Sequence, residues 1–318
     1  MSHQSPIFLI SLPRSGSTLL QRIISNHPDI ATTSEPWMAL PLFYKNLFDN
    51  LEIKKDLPYS GNTSQVAITE FLSNFKNSNF TLKRNLAIFY SLLCSDLAKE
   101  KGKVYFLDKT PRYYYILDEL IDYFPNSKFI ILHRNPFAIL NSILKTWVKK
   151  NPFFLGYYKD DLTIGYKTLE ESRKIVNSNL YHVEYDEIIK NTELELKNLC
   201  NFLGVNYFSD MSNLVIKDKF KLGDPVNAFS KTGIDKDLKE DWKTINNVQS
   251  FRFYKDYFDY LKNNGYAINH TFNSYFKSHN YPFYKFRTIS MDFVFHDKLR
   301  RFSIPISKIA RKYKFFIL

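Results

Sequence analysis

Cysteine is nearly absent. Cys94 and Cys200 are the only two in 318 residues, and both stand in apolar, helix-like stretches far apart. They form no Cys-x-x-Cys and no Cys/His ligand spacing, which speaks against a disulfide framework and a structural zinc site alike. Long apolar runs are missing too. No stretch approaches the roughly 20 residues that a membrane-spanning helix needs, and no secretory leader precedes the first apolar segment, so the expected setting is the cytoplasm. Acidic residues are in deficit, 32 against 44 Lys and Arg, for a net charge of +12 and a pI near 9.3. A basic chain favours nucleic acid, an anionic membrane surface or small acidic ligands. The excess is uneven, because ten Lys and Arg against Asp292 and Asp297 put +8 of it in residues 266–318.

What is present suffices for one sizeable α/β domain: 44% of residues are hydrophobic. The expected organisation is a main domain over residues 1–265 and a basic, aromatic extension over 266–318. From Asp297 onward that extension interleaves Leu299, Phe302, Ile306, Ile309, Tyr313 and Phe316 with cations. Such a segment suits either docking on its own domain or peripheral contact with an anionic membrane.

The chain is organised around its start. Ile7–Ile10 is a short continuous apolar run, the pattern of a strand buried on both faces of a parallel sheet. Ser11–Gly16 is turn-rich, and Ser17–Asn26 reads as a helix with Leu19, Leu20, Ile23 and Ile24 on one side. Strand, tight loop and helix start make a phosphate cradle of backbone N–H groups and a positive helix end. Gly16 permits close approach, Ser15, Ser17 and Thr18 add hydroxyls, and Arg14 adds a charge.

This loop also lacks something. The ATPase pattern has Gly at its first position and Gly-Lys-Ser/Thr at its end. Here Ser11 replaces the first Gly and Ser17 replaces the Lys. Without that Lys a nucleotide triphosphate loses a main contact to its β- and γ-phosphates. Leu12-Pro-Arg-Ser-Gly-Ser-Thr-Leu-Leu20 instead resembles the 5′-phosphosulfate loop of sulfotransferases that use 3′-phosphoadenosine 5′-phosphosulfate (PAPS).

Further segments extend the resemblance. Val104–Leu107 reads as a second buried strand, followed by Asp108-Lys-Thr-Pro111 and a helix through Phe124. Lys128–Arg134 reads as a third strand and is followed by a helix through Lys149. Tyr181–Tyr185 reads as a fourth, leading into a helix that ends at Gly204. Ligands gather at the carboxyl ends of such strands, which places Lys109 in the same crevice as Arg14. Glu35 stands 21 residues after Arg14 and just before Pro36. Read locally, it is a helix-initiating acid. The resemblance to tyrosylprotein-type and bacterial sulfotransferases implies that Glu35 is the catalytic base and Lys109 assists it. Arg134 and Ser142, eight residues apart, resemble the family's 3′-phosphate pair. Tyr185 is either a base-stacking residue or a buried strand tyrosine. Ser230 and Lys231, in a Gly/Pro-punctuated loop, are candidates for a nucleotide-covering contact. His133 is expected to line the core or cap its strand.

Between these segments the sequence predicts a helix at Gln65–Lys76. It also predicts an amphipathic helix at Thr81–Lys101 with Leu86, Phe89, Tyr90, Leu93, Cys94 and Leu97 on one side, an aromatic acceptor-side loop at Asn151–Tyr158, and helices at Asp160–Ser178 and Val248–Gly265. The expected architecture is three-layer α/β, with a central parallel sheet of about five strands of the P-loop nucleotide-kinase type.

The resemblance implies transfer of the sulfuryl group of PAPS to a hydroxyl or amine, releasing adenosine 3′,5′-bisphosphate (PAP) without a metal. The acceptor stays open among a glycan, a lipid-linked saccharide, a protein tyrosine and a small alcohol or phenol, with a tilt toward glycan or lipid-linked acceptors. A P-loop small-molecule kinase using ATP and magnesium is the rival enzyme. A basic nucleic-acid-binding protein is the rival class, although no stacking platform or binding motif accompanies the charge, and no nucleic-acid partner is expected.

Overall fold

The computed structural model describes residues 4–44, 61–148, 152–213 and 257–266. The chain forms two compact units, residues 1–134 with 165–238 and residues 135–164 with 239–318.

The first unit is built on a five-stranded, wholly parallel sheet in the order β2-β3-β1-β4-β5. The strands are β1 (Ile7–Ser11), β2 (Ile30–Thr32), β3 (Tyr105–Lys109), β4 (Lys128–His133) and β5 (Leu180–Glu184). β1 lies at the centre, pairing Leu9 with Lys109 of β3 and with Ile130 of β4. The chain leaves β1 toward one edge and later returns to its other side. That reversal at β1 is the switch point where open α/β sheets bind ligands.

Alternation along β1 separates two apolar layers. Ile7 and Leu9 join Ile130, Leu132 and Val183 against α1 (Ser17–Ser25), α8 (Tyr185–Lys190) and α9 (Thr192–Leu203). Phe8 points the other way, stacked 5.4 Å from Phe129 and edge-on to Phe124 at 5.2 Å and Tyr113 at 6.2 Å. That second layer is supplied by α4 (Ser78–Glu100), a 3-10 turn at Pro111–Ile116 and α5 (Leu117–Tyr123). The three-layer α/β expectation holds.

Two sequence-based expectations need correction. The first concerns β2, an additional strand ahead of Val104–Leu107, which therefore belongs to the third strand in chain order, not the second. Three residues are too few to show a period, so this edge strand is identifiable only by its pairing of Ile30 with Tyr105 and Thr32 with Leu107. The second concerns the face of α4. Phe89 and Leu93, expected inside, are 48% and 41% exposed, while Ala87, Tyr90, Ser91, Cys94, Ser95 and Ala98 are buried. The helix is apolar around much of its circumference, so spacing alone does not choose a face; the stripe of small residues admits the closer approach to the sheet.

The remaining elements are α2 (Ala39–Phe43), α3 (Gly61–Ser73), α6 (Pro136–Ile143), α7 (Tyr166–Ser172), π-helical turns at Leu144–Val148 and Asp161–Gly165, and 3-10 turns at Pro152–Tyr158 and Ser209–Ser212. In the second unit, the Asn135 side chain caps α6 by accepting from the N–H groups of Phe137 (2.9 Å) and Ala138 (3.4 Å). Phe137 packs 5.6 Å from the ring of Tyr257, within helical residues 257–263. α9 ends at Gly204 in the left-handed conformation (φ 72), as its position requires. Both cysteines are buried and free. No helix among the described residues is long and apolar enough to cross a membrane. The basic extension after Tyr266, the segment expected to dock on the domain or to contact a membrane, lies outside the described residues.

Candidate active site

Every strand of the sheet delivers a candidate residue at or just beyond its carboxyl end. After β1 the chain turns at Leu12–Ser15, where the Ser15 N–H donates to the Leu12 carbonyl at 3.3 Å. Arg14 (φ 67) and Gly16 (φ 90) both take left-handed backbone. Gly16 caps α1 with no side-chain cap and no acid in the helix's first turn. The helix start therefore keeps its positive end uncompensated. Ser15 is fully buried, and its Oγ has no hydrogen-bond partner. A buried hydroxyl left without a partner costs free energy unless a ligand supplies one. Ser17 and Thr18 are buried beside it.

At the next strand end, Lys109 is 1% exposed. Its Nζ donates to Glu35 Oε1 at 2.7 Å and to Thr18 Oγ1 at 3.4 Å. One ammonium thus ties the loop after β1 to the carboxylate after β2. The other carboxylate oxygen, Oε2, accepts the indole N–H of Trp37 at 3.0 Å. Glu35 is therefore no helix-initiating acid, since α2 begins only at Ala39.

Behind Lys109 lies a buried polar group absent from the sequence-based site. Asp108 is fully buried, and the hydroxyls of Tyr90 (2.5 Å) and Thr110 (2.9 Å) donate to its carboxylate, with Tyr113 also bonded to it. Burial pushes this carboxyl up to about 6, against the opposing pull of those hydroxyls and of Lys109. Gln21, also fully buried, donates from Nε2 to Thr32 Oγ1 at 2.8 Å and to the Thr33 carbonyl at 2.7 Å. It anchors the end of β2, from which Glu35 projects. Neither residue carries a motif, and only their burial in the fold singles them out.

The third cluster surrounds Arg134, just beyond β4. Its Nη1 donates to the Arg14 carbonyl at 2.9 Å, and its guanidinium lies 4.2 Å from the ring centre of Tyr185. Burial lowers the Arg134 pKa, and the Arg14 cation adds to this, opposed by Tyr185 and Asp186. An arginine depressed by burial and by a second cation is one that a bound anion would stabilise. Tyr185 opens α8 rather than closing a strand, and its ring lies over the loop: a Cβ on Gly16 would stand 2.4 Å from Tyr185 Cε2. His133, the last residue of β4, is buried as the core reading expects, its ring bonded to Glu170 Oε1 (3.2 Å) and to His182 Nδ1 (3.0 Å). Burial pushes His182 down to about 4.

The structure thus brings together Arg14, Ser15, Gly16, Ser17, Thr18, Glu35, Lys109, Arg134 and Tyr185. Ser142 lies on α6, in the second unit. Ser230 and Lys231 lie outside the described residues.

Comparison with known proteins establishes the family. The Sulfotransferase family matches residues 6–210. This chain belongs to the sulfotransferase family. It is an enzyme of sulfuryl transfer. Over 291 residues the sulfotransferase is 25% identical to a putative protein-tyrosine sulfotransferase of Caenorhabditis briggsae, covering 88% of this chain and 96% of that protein. Over 140 residues it is 36% identical to the nodulation protein NoeE of Sinorhizobium fredii, covering 44% of this chain but only 31% of NoeE. Two solved structures share the fold. They are a sulfotransferase domain from the curacin biosynthetic pathway (TM-score 0.54, 21% identity, 84% of this chain and 100% of that one) and one from the Synechococcus PCC 7002 olefin synthase (TM-score 0.55, 23% identity, 84% and 98%).

Proposed function

We propose that this sulfotransferase moves the sulfuryl group of PAPS to a hydroxyl (or amine) of its acceptor, with Glu35 as general base and Lys109 and Arg14 stabilising the charge that develops. The observation that carries the reading is the Lys109 ammonium, 2.7 Å from Glu35 and 3.4 Å from Thr18. It gathers a base, a cation and the anion loop at the carboxyl ends of three neighbouring strands.

PAPS supplies an activated sulfuryl group on a nucleotide that leaves as PAP. The residues present fit it. The partnerless Ser15 Oγ, the backbone N–H groups at the start of α1 and the hydroxyls of Ser17 and Thr18 suit its 5′-phosphate. Arg134 is assigned to the 3′-phosphate, and the sequence resemblance adds Ser142. Tyr185 is assigned as the aromatic partner of the base. In-line transfer between oxygens asks little covalent chemistry of a protein, so positioning and charge stabilisation dominate. Glu35 takes the acceptor proton. Lys109, already within reach of Glu35 and the loop, neutralises charge on the equatorial oxygens. Arg14 does so on the leaving side.

The acceptor is proposed as a glycan, lipid-linked saccharide or tyrosine hydroxyl. The name of the C. briggsae relative favours tyrosine, while the aromatic segments near the acceptor side favour a saccharide. Thermal unfolding in EDTA with PAP, with ATP, and with ATP plus magnesium tests the donor. A rise with PAP that grows with concentration supports the reading. A rise only with ATP and magnesium replaces it with a kinase. Transfer of radiolabelled sulfate from PAPS to a panel of oligosaccharides or to a tyrosine peptide then separates the acceptors.

A further inference from the structure

Trp37 and Arg14 are the two non-glycine residues with left-handed backbone among the described residues; Trp37 has φ 58. A bulky side chain rarely adopts that conformation, and it persists only where surrounding contacts over-determine it. Arg14 sits in the anion loop, where such a turn has an evident use. For Trp37 the contacts point to Glu35.

Its indole N–H turns back two residues to Glu35 Oε2 at 3.0 Å. Its backbone N–H donates to Thr110 Oγ1 at 3.4 Å, and the next anchor along the chain, the Ala39 N–H, donates to the Tyr113 hydroxyl at 3.1 Å. Thr110 and Tyr113 are both bonded to the buried Asp108 carboxyl. The segment after β2 has no regular structure until Ala39. It is pinned by two backbone N–H groups to the chain just beyond β3, the strand that carries Lys109. The guanidinium of Arg112 lies 5.9 Å from the Trp37 ring centre.

We infer that Trp37 is the positioning residue for Glu35, resting on the reading of Glu35 as base. The left-handed turn swings the indole N–H onto Oε2 and leaves Oε1 to Lys109, so the carboxylate cannot rotate away from the loop. A base held in one orientation is worth more than a free one, because misplacement by a fraction of an ångström costs proton transfer. When Glu35 takes a proton, the indole still holds the carboxyl in place. A regular helix start at this position would carry the indole away from Glu35, which accounts for the unfavourable backbone.

The test needs no acceptor, because water serves in the slow hydrolysis of PAPS to PAP and sulfate. There a water oxygen bonds to sulfur, the bond from sulfur to the bridging oxygen breaks, and the water proton passes to Glu35. Trp37→Phe keeps a ring and removes the donor. The expected result is a fall in PAPS hydrolysis of roughly 10- to 100-fold, the usual worth of a hydrogen bond to a charged group, with PAP affinity unchanged. Hydrolysis at the wild-type rate overturns the proposal.

A second readout works on the full chain without Trp37→Phe. The three tryptophans, Trp37, Trp147 and Trp242, give three indole N–H resonances, assigned by Trp147→Phe and Trp242→Phe. Glu35→Gln replaces a charged acceptor by a neutral one, and should move the Trp37 indole resonance upfield while leaving the other two in place. A resonance that does not move also overturns the proposal. If that resonance moves while Glu35→Gln hydrolyses PAPS at the wild-type rate, the hydrogen bond stands, but the base reading falls, and with it the catalytic use of Trp37.

Discussion

Gly16 is constrained twice over. Its φ of 90 suits only glycine among common residues, and an added Cβ would meet the Tyr185 ring at 2.4 Å. Gly16→Ala is expected to destabilise the protein by about 1–3 kcal/mol and to weaken PAP binding; adding Tyr185→Ala should recover the clash but not the backbone strain. Melting temperatures of the two variants separate these contributions. Arg134 presents a sharper choice, because it already bonds the Arg14 carbonyl. If it serves the 3′-phosphate, Arg134→Ala weakens PAP far more than adenosine 5′-phosphosulfate, as isothermal titration would show. Equal losses for the two nucleotides would mean that its work is to brace the loop. Glu35→Gln should cut turnover by roughly 10²–10⁴-fold with PAP affinity nearly intact; substantial remaining turnover moves the base elsewhere.

The anchoring of short elements governs how well those residues meet. β2 is a three-residue edge strand whose end is held by Gln21 of α1 through Thr32 and Thr33, and by Thr32 Oγ1 donating to the Leu107 carbonyl at 2.8 Å. Gln21→Leu removes its two bonds to Thr32 and Thr33 in a fully buried setting, at a cost of about 1–3 kcal/mol. The distinctive expectation is kinetic: turnover should fall more than PAP affinity, because Glu35 hangs from β2 while the anion loop does not. Equal falls in both would show that α1 itself had shifted. The strand is illegible in Asn26–Thr33 because, although Ile30, Thr32 and Thr33 are β-branched, three residues are too few to alternate. By contrast β1, β3, β4 and β5 were legible as continuous apolar runs or strand-end motifs, since strands buried on both faces need apolar residues at every position. α4 was legible as a helix but not in its orientation, because apolar side chains occupy both its faces.

At the scale of the whole molecule, the polar group beneath the site links stability to pH. The folded-state value of Asp108 lies near 6, above its ordinary 3.8. A raised carboxyl contributes stability that is full below about pH 4 and declines as pH rises through 6. Relative to Asp108→Asn, the wild type should therefore hold its largest thermal advantage near pH 4 and lose it by pH 7. Melting curves of both proteins across that range check this, and parallel curves would place the titration elsewhere. The sequence by itself determined the anion loop and the sulfotransferase resemblance, which singles out Arg14, Glu35, Lys109 and Arg134 as candidates. Arg14, Lys109 and Arg134 each stand at the end of a strand legible from its neighbours in the chain, whereas Glu35 is singled out only by the resemblance and its place 21 residues after Arg14. Only the tertiary structure decided that Glu35 and Lys109 share a proton's distance, that Arg134 braces the Arg14 carbonyl, and that Asp108, Gln21 and Trp37 support them. Those contacts join residues up to 120 positions apart or depend on one backbone angle, and neither pairing across a sheet nor a left-handed turn at tryptophan is written in any local run of side chains.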